Sequence, residues 1–104
     1  MTTKTINGTG GNDTISVSDN TLPPGFMVNL NGLDSGPFSD DTLIVNGGAG
    51  NDNVDLSALT SASGVTSVTI SGGVGNDNLT GSQINNTFLV SGSGEGSDTY
   101  QGGT

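Results

Sequence analysis

The stretch that decides the expected fold is residues 47–55, GGAGNDNVD, which returns almost unchanged at residues 72–80 as GGVGNDNLT. Each copy places three glycines in its first four positions, then Asn-Asp, then one further residue and an apolar one. Glycine adopts positive φ angles and brings no Cβ, so such a loop can turn sharply and approach another backbone closely. The recurrence of this loop before strand-like segments predicts a repeat architecture.

Three weaker copies align on the same aspartate: GTGGNDTIS at residues 8–16, GPFSDDTLI at residues 36–44 and SGEGSDTYQ at residues 93–101. The sixth position of each copy repeats one carboxylate, and these five are Asp13, Asp41, Asp52, Asp77 and Asp98. Short apolar clusters lie between the loops, and several of them alternate apolar with polar residues. This alternation predicts strands with one face on a thin core, and the chain as a whole is predicted to be all-β.

The spacing of the aspartates predicts how the loops stack. Asp52 and Asp77 are 25 residues apart and Asp77 and Asp98 are 21 apart, which leaves room for a strand, a turn and a returning strand. These three loops are therefore expected at one edge. Asp41 precedes Asp52 by only 11 residues, so its loop is expected at the opposite edge, and Asp13, another 28 residues earlier, is expected to stack beneath Asp41.

Composition limits the possible functions. Leu, Ile, Val and Phe make up only 24 of 104 residues, so we expect one small domain, residues 1–104, with little apolar core. A net charge of −9 argues against binding nucleic acid or an anionic membrane, and favours a cationic partner. Without Cys or His there are no disulfides, no thiol chemistry and no imidazole base. Neither a transmembrane segment nor a Sec signal peptide is recognisable, so membrane insertion is not expected.

Calcium fits between two such loops on simple dimensions. Neighbouring rungs of a parallel sheet lie about 4.8 Å apart, and Ca²⁺ takes oxygen ligands at about 2.3–2.6 Å. Two aspartates from adjacent loops can therefore bridge one ion, and glycines allow backbone carbonyls to supply further oxygens. Each loop is expected to be half of a shared site, with Ca²⁺ as the cofactor.

These residues resemble the repeats-in-toxin (RTX) family, whose nonapeptide Gly-Gly-x-Gly-x-Asp-x-apolar-x folds as a calcium-bound parallel β-roll. Residues 47–55 and 72–80 match every fixed position, whereas the loop of residues 8–13 has Thr9 at the second glycine and the loop around Asp41 keeps only its first glycine. The resemblance implies a parallel β-roll or β-solenoid with calcium-binding glycine-rich turns. It implies a ligand set of carboxylates and early-loop carbonyls, namely Asp52, Asp77, Asp98, Asp13, Asp41, Gly47, Gly48, Ala49, Gly50, Gly72, Gly73, Val74, Gly75, Gly94 and Gly96.

The function expected from this resemblance is that of a secreted, non-enzymatic module for structure or adhesion, which folds on binding calcium outside the cell. Family members typically leave the cell through a type I apparatus that reads a C-terminal signal, and no such signal follows the last repeat, so another export route or a larger parent protein is the alternative. The two ends of the solenoid are expected to expose unpaired strand edges, because no capping helix or charged edge strand is recognisable at either. A head-to-tail homo-oligomer is therefore predicted, in which the strand of Lys4 continues the sheet of the Tyr100 strand of the preceding copy, giving extracellular filaments.

Two other function classes are alternatives. A module for an ordered surface, ice or polysaccharide, would use a flat column of Asn or Thr, and Asn12, Asn51 and Asn76 form such a column until Ser97 interrupts it. An enzyme, such as a lyase built on a β-helix, would need acid and base groups, and the chain has one Lys, no His and no Arg. We therefore expect no catalytic residues.

Overall fold

The computed structural model describes residues 2–21, 24–89 and 99–101. Within these residues the chain forms ten strands and one short 3-10 helix, with no α-helix. The strands are β1 (Thr3–Asn7), β2 (Thr14–Thr21), β3 (Pro24–Leu30), β4 (Leu33–Phe38), β5 (Thr42–Asn46), β6 (Asn53–Ala58), β7 (Ser67–Ser71), β8 (Asn78–Thr80), β9 (Asn85–Leu89) and β10 (Thr99–Gln101), and the 3-10 helix is Ser61–Ser63. The prediction of an all-β chain is confirmed.

Parallel pairing organises the strands into two sheets. The first contains four parallel strands in the order β1-β5-β7-β9. The second contains six strands in the order β10-β8-β6-β2-β3-β4, parallel from β10 to β2 and antiparallel from β2 to β4. No helix in the described residues is long and apolar enough to cross a membrane.

The chain changes from the first sheet to the second through the glycine-rich loops. We call residues 8–13 loop 1, residues 47–52 loop 2 and residues 72–77 loop 3; they connect β1 to β2, β5 to β6 and β7 to β8. Because β1, β5 and β7 are parallel neighbours, as are β2, β6 and β8, the three loops lie side by side at one edge. The return from β6 to β7 runs through the 3-10 helix at the other edge.

The alternating strand sequences bury every second residue in a single apolar cluster drawn from both sheets. In β5 and β7, Leu43 pairs with Val68 and Val45 with Ile70, so apolar side chains form rows across the rungs. Each fully buried side chain of this kind contributes on the order of 2 kcal/mol. The buried members are Ile6, Ile15, Val17, Phe26, Val28, Leu43, Val45, Val54, Leu56, Leu59, Val65, Val68, Ile70 and Leu79.

The segment between loop 1 and β5 differs from the prediction. The spacing of 28 residues between Asp13 and Asp41 suggested a complete coil, but the chain reverses twice within one sheet as β2, β3 and β4. The second reversal is a two-residue Asn31-Gly32 turn, whose φ angles of 53° and 90° match the twist of an antiparallel pair. Asp13 therefore lies beside Asp52, and the prediction that it stacks beneath Asp41 is wrong.

Asp41 lies at the opposite edge from loops 1 to 3, as predicted. It directly precedes β5, and its N–H donates to the carbonyl of Thr2, next to the start of β1 (3.1 Å). Its own carbonyl accepts from the N–H of Thr66, next to the start of β7 (2.8 Å). These backbone bonds join the starts of three parallel strands, and they place Asp41 away from the other described aspartates of the repeat.

At the end of the molecule near β1, the second sheet is extended by further strands, so the predicted absence of caps is wrong for that sheet. The added strands β3 and β4 extend the second sheet there and bury Phe26, whose ring lies 5.7 Å from that of Phe38. The ammonium of Lys4, on β1, lies 3.9 Å from the centre of the Phe38 ring. Because β1 belongs to the first sheet and β10 to the second, β1 of one copy cannot continue the sheet that ends at β10 in the way predicted.

Candidate metal centre in the stacked loops

Loops 1, 2 and 3 are held in register by backbone hydrogen bonds that continue the parallel ladders. The N–H of Gly8 donates to the carbonyl of Asn46 (2.8 Å), and the N–H of Gly47 donates to that of Ser71 (2.7 Å). At the other end of the loops, where the second sheet begins, the N–H of Asn53 donates to the backbone carbonyl of Asp13 (2.8 Å). Each loop is therefore clamped at both ends by the sheets, and its central residues meet those of the next loop.

The three aspartates form a ladder through the loops. The N–H of Asp13 donates to Oδ1 of Asp52 (2.8 Å), and the N–H of Asp52 donates to Oδ1 of Asp77 (2.9 Å). All three side chains are buried, with 2%, 2% and 3% of their surface exposed. The sequence analysis predicted Asp52 and Asp77 as neighbours, and the structure adds Asp13 to the same column.

A second ladder, of asparagines, runs beside the first. The N–H of Asn51 donates to Oδ1 of Asn12 (2.7 Å), and the N–H of Asn76 donates to Oδ1 of Asn51 (2.8 Å). The sequence analysis noted this column only as a surface that could bind ice. The recurrent Asn-Asp pair could have revealed the structural role of the asparagines. In each loop the Asn side chain belongs to one ladder of hydrogen bonds and the Asp side chain to the other. With their amide oxygens engaged between loops, Asn12 and Asn51 do not favour the surface-binding alternative.

The glycines allow the loops to approach one another. Gly48, Gly50, Gly73 and Gly75 all have positive φ angles, between 83° and 119°. A Cβ on Gly50 would lie 2.5 Å from the carbonyl oxygen of Gly11, and one on Gly48 would lie 2.9 Å from that of Thr9. Both the backbone conformation and the contact with the preceding loop therefore require glycine at these two positions of the repeat.

Substitution of Gly50 tests this requirement, and Gly64 provides a matched control. Gly64 also has a positive φ angle, 88°, but a Cβ there would meet nothing within 4 Å. Gly64→Ala is expected to cost about 1 kcal/mol from backbone strain alone. Gly50→Ala adds a collision with the neighbouring loop and is expected to cost about 3 kcal/mol or more. Urea unfolding of both variants at one calcium concentration measures the difference, and equal losses would contradict the close stacking.

The first glycine of each loop borders a small space lined by oxygen atoms, which we call the oxygen cradle. A Cβ on Gly47 would lie 2.6 Å from Oδ2 of Asp52 and 2.8 Å from the carbonyl oxygen of Gly72. The equivalent atom on Gly8 would collide with Oδ2 of Asp13 and the carbonyl oxygen of Gly47. In both loops a carboxylate oxygen of the loop itself and a carbonyl of the next loop thus converge where a side chain would begin.

The buried Asp52 carboxylate has few hydrogen-bond donors. Its Oδ2 is buried and accepts no hydrogen bond from the described residues. Burial raises the pKa of Asp52 to about 6, the N–H of Asp13 opposes that rise, and the charges of Asp77 and Asp13 add to it. An ionised carboxylate held in this way is stabilised by a cation or neutralised by a proton.

Asp13 differs from Asp52 although both belong to the same ladder. Its Oδ1 accepts from Nδ2 of Asn31 (2.8 Å) and from the hydroxyl of Thr9 (2.7 Å), and its Oδ2 accepts from the N–H of Thr9 (2.7 Å). These donors, Asn31 first, hold the pKa of Asp13 below its usual value. The sequence analysis missed Asn31, because the Asn-Gly turn was not recognised as a hairpin that returns to loop 1.

These opposite pKa shifts predict the pH dependence of the metal-free protein. Between pH 4 and 6, the folded state binds more protons at Asp52 than the unfolded state, so stability falls as pH rises through this interval. The contribution of Asp13 has the opposite sign and is lost only at lower pH. Thermal unfolding of the metal-free protein, stabilised with an excluded osmolyte, is expected to show a higher midpoint at pH 4 than at pH 7. The difference should shrink in Asp52→Asn, and a stability that rises from pH 4 to 6 in both proteins would contradict the shift at Asp52.

The remaining predicted ligands divide into three groups. Ala49 and Val74 are at the third position of their loops, and their side chains are exposed. This agrees with a position that would contribute only its backbone carbonyl to a metal site. Asp41 lies at the other edge and cannot join the ladder. Asp98, Gly94 and Gly96 lie outside the described residues. Among the described residues, no three acidic side chains come together in a metal-binding group, so an ion at these loops would depend on backbone carbonyls as well.

Comparison with known protein families, with curated proteins and with solved structures finds no match for this chain.

Proposed function

We propose that this chain is a calcium-binding β-roll, related to the RTX family, which becomes fully ordered when Ca²⁺ occupies the spaces between its stacked loops. The observation that carries the proposal is the buried Asp52 carboxylate, whose Oδ2 accepts no hydrogen bond from the described residues and borders the oxygen cradle at Gly47. A buried carboxylate without a compensating partner is costly, and a bound cation would remove that cost.

The donor chemistry of the cradle fits calcium better than other common metals. Every group in reach is an oxygen, from an Asp side chain or a backbone carbonyl, and the chain has no Cys or His to favour zinc or copper. Ca²⁺ accepts irregular sets of six to eight oxygens, whereas Mg²⁺ demands near-octahedral geometry and keeps its waters. Asp52, the carbonyl of Gly72 beside it and Asp77 of the neighbouring loop would hold the ion, which would supply positive charge between the loops.

The alternation of the chain between two sheets supports the finer description of the fold as a β-roll. Loops 1, 2 and 3 lie at one edge and the return connections at the other, so each pair of strands corresponds to one turn of a coil. In such a coil each turn contacts only its neighbours, and an ion shared between two loops would join consecutive turns.

An extracellular role follows from the affinity expected for such sites. Exposed modules bind calcium at about 10⁻⁴–10⁻³ M, which extracellular calcium satisfies and cytosolic calcium does not. We assign the chain a non-enzymatic structural or adhesive role outside the cell. The lack of His, Cys and Arg leaves few groups for catalysis.

End-to-end association is part of the proposal in an altered form. The strands β1 and β9 are the two edges of the four-stranded sheet, and neither carries a carboxylate. Pairing of β9 in one copy with β1 in the next would continue that sheet. The edge strand β4 contains Pro37, which has no N–H to donate, and it would stay unpaired. Sedimentation velocity in millimolar calcium tests this, since a monomer at all concentrations would rule it out.

Isothermal titration calorimetry tests calcium binding itself. The wild-type chain is expected to bind Ca²⁺ with release of protons near pH 6 and to bind Mg²⁺ much more weakly. Asp55→Asn is the matched control for Asp52→Asn, because Asp55 lies three residues further along the chain, in β6, and is exposed. Its carboxylate accepts from the N–H and the hydroxyl of Ser57 and takes no part in the ladder of aspartates. Binding that survives in Asp52→Asn as fully as in Asp55→Asn would overturn the proposal.

A further inference from the structure

Asn31, at the tip of the β3–β4 turn, occupies the outer side of loop 1. Its N–H donates to the carbonyl of Thr14 (2.8 Å), and its Oδ1 accepts from the N–H of Thr14 (2.7 Å). Its Nδ2 donates to Oδ1 of Asp13 (2.8 Å). On the inner side, Asp13 instead bonds to Asp52 and Asn53 of the next rung. One residue of the turn thus takes the place that a complete neighbouring loop takes on the other side.

Loop 1 itself is built differently from loops 2 and 3. Thr9 stands where the other two loops have Gly48 and Gly73, and its hydroxyl and N–H both donate to the Asp13 carboxylate. The residues of loop 1 have no positive φ angle, whereas loops 2 and 3 each have two. Both oxygens of Asp13 therefore have protein donors, and the loop lacks the backbone conformation that the metal-binding repeats share.

We propose that Asn31 is a positioning residue that closes the stack at loop 1, so that the part of the chain before loop 2 folds without calcium. The proposal rests on the proposed function, because it divides the chain into a closed part, residues 2–46, and a calcium-dependent part that begins at loop 2. When calcium binds, the strands after loop 2 then add to the sheet edges that the closed part already presents, so folding does not have to begin in a fully disordered chain.

The packing of the closed part supports this division. Its antiparallel strands β2, β3 and β4 pair between segments close in sequence, and such contacts form at lower entropic cost than the parallel pairs of the other strands. Phe26 is fully buried there and packs against Phe38. The side chain of Lys4, the only basic residue in the sequence, lies over the Phe38 ring. Loops 2 and 3, by contrast, connect strands that pair only in parallel within the described residues, and Oδ2 of Asp52 in loop 2 is buried without a hydrogen bond from them.

Hydrogen exchange followed by mass spectrometry on the full chain tests the proposal in EDTA and in millimolar calcium. Peptides from residues 2–46 are expected to be protected in both conditions, and peptides from residues 47–89 only in calcium. If calcium protects neither part further, the proposed function fails. If both parts are unprotected in EDTA and become protected together in calcium, calcium binding stands and the closed part is refuted.

The variant Asn31→Asp makes the test specific to the side chain. It keeps the turn, since Asp also adopts positive φ angles, but it sets a second carboxylate against Asp13. Exchange in loop 1 is expected to become about tenfold faster or more in EDTA and to be restored by calcium, which a merely structural residue would not show. Asn29→Asp is the matched control, because Asn29 donates to the exposed Asp34 and does not contact Asp13. If loop 1 of Asn31→Asp exchanges hydrogen in EDTA at the same rate as in the wild-type chain, the proposal is overturned.

A second variant covers the case in which Asn31→Asp does not fold at all. Asn31→Gly keeps the φ angle of 53° without strain and removes all side-chain bonds to Asp13 and Thr14. It is expected to lose the EDTA-resistant protection of residues 8–14 while residues 47–89 still respond to calcium. Retention of the EDTA-resistant protection in this variant would show that Asn31 does not close the stack.

Discussion

Addition of calcium to the metal-free chain is expected to produce a large gain of β-structure. The chain has 24 large apolar residues to offset the ordering entropy of 104 residues, while its net charge of −9 opposes compaction. Stacking alone places the buried carboxylates of Asp13, Asp52 and Asp77 in neighbouring loops without a cation between them. Far-UV circular dichroism during a calcium titration measures the transition, with an expected midpoint of about 10⁻⁴–10⁻³ M.

The controls for this titration are EDTA and magnesium. EDTA added after calcium should reverse the gain, and the spectrum that remains should correspond to the closed part, residues 2–46. Magnesium at the same concentration should have little effect, because it keeps its waters and demands octahedral geometry. A spectrum in EDTA that calcium leaves unchanged is the result that rules out metal-driven folding.

The second large effect is expected from Asp52→Asn. Asp52 lies between Asp13 and Asp77 in the ladder and can contribute to the spaces on both of its sides. Its removal is expected to raise the calcium midpoint about tenfold or more, since the loss of one charged ligand costs at least what one charge-assisted hydrogen bond contributes. Asp77→Asn should have a similar effect, because β10 places another rung beside β8.

Asp13→Asn should change the calcium midpoint much less than the two inner variants do. Its carboxylate is already bonded to Thr9 and Asn31, and its loop forms the closed end of the stack. The variant should instead lower the stability of the chain in EDTA, where the bonded carboxylate still contributes. Equal calcium midpoints for Asp13→Asn and Asp52→Asn would discredit the order of the ladder.

Local sequence was sufficient for the elements of the repeat. The paired glycines, the Asn-Asp step and the following Ile15, Val54 and Leu79 predicted a tight loop before a half-buried strand, and loops 1, 2 and 3 adopt it. Gly50 and Gly75 carry this information because only a residue without a Cβ can stand next to the carbonyl of the neighbouring loop. Such requirements act within a few residues, so they can be read from the sequence.

The stacking partner of Asp13 was decided by tertiary structure. A spacing of 28 residues is long enough for a full coil and equally long enough for two hairpins, because contour length alone does not determine which strands pair. The Asn31-Gly32 turn is a hairpin signal that favours the second possibility, but its consequence depends on where the hairpin packs. Burial of Phe26 and the return of Asn31 to Asp13 are contacts between distant parts of the chain.

The sequence by itself therefore determined the all-β class, the glycine-rich loops and the aspartates that repeat with them, because these depend on backbone conformation and side-chain size at single positions. The spacing of the aspartates also placed Asp52 and Asp77 at one edge and Asp41 at the other, but only the tertiary structure decided that Asp13 joins Asp52 and Asp77 and that one end of the stack is closed. Those properties depend on which edges of two sheets meet, and a ladder of hydrogen bonds between loops exists only after the strands on either side have paired.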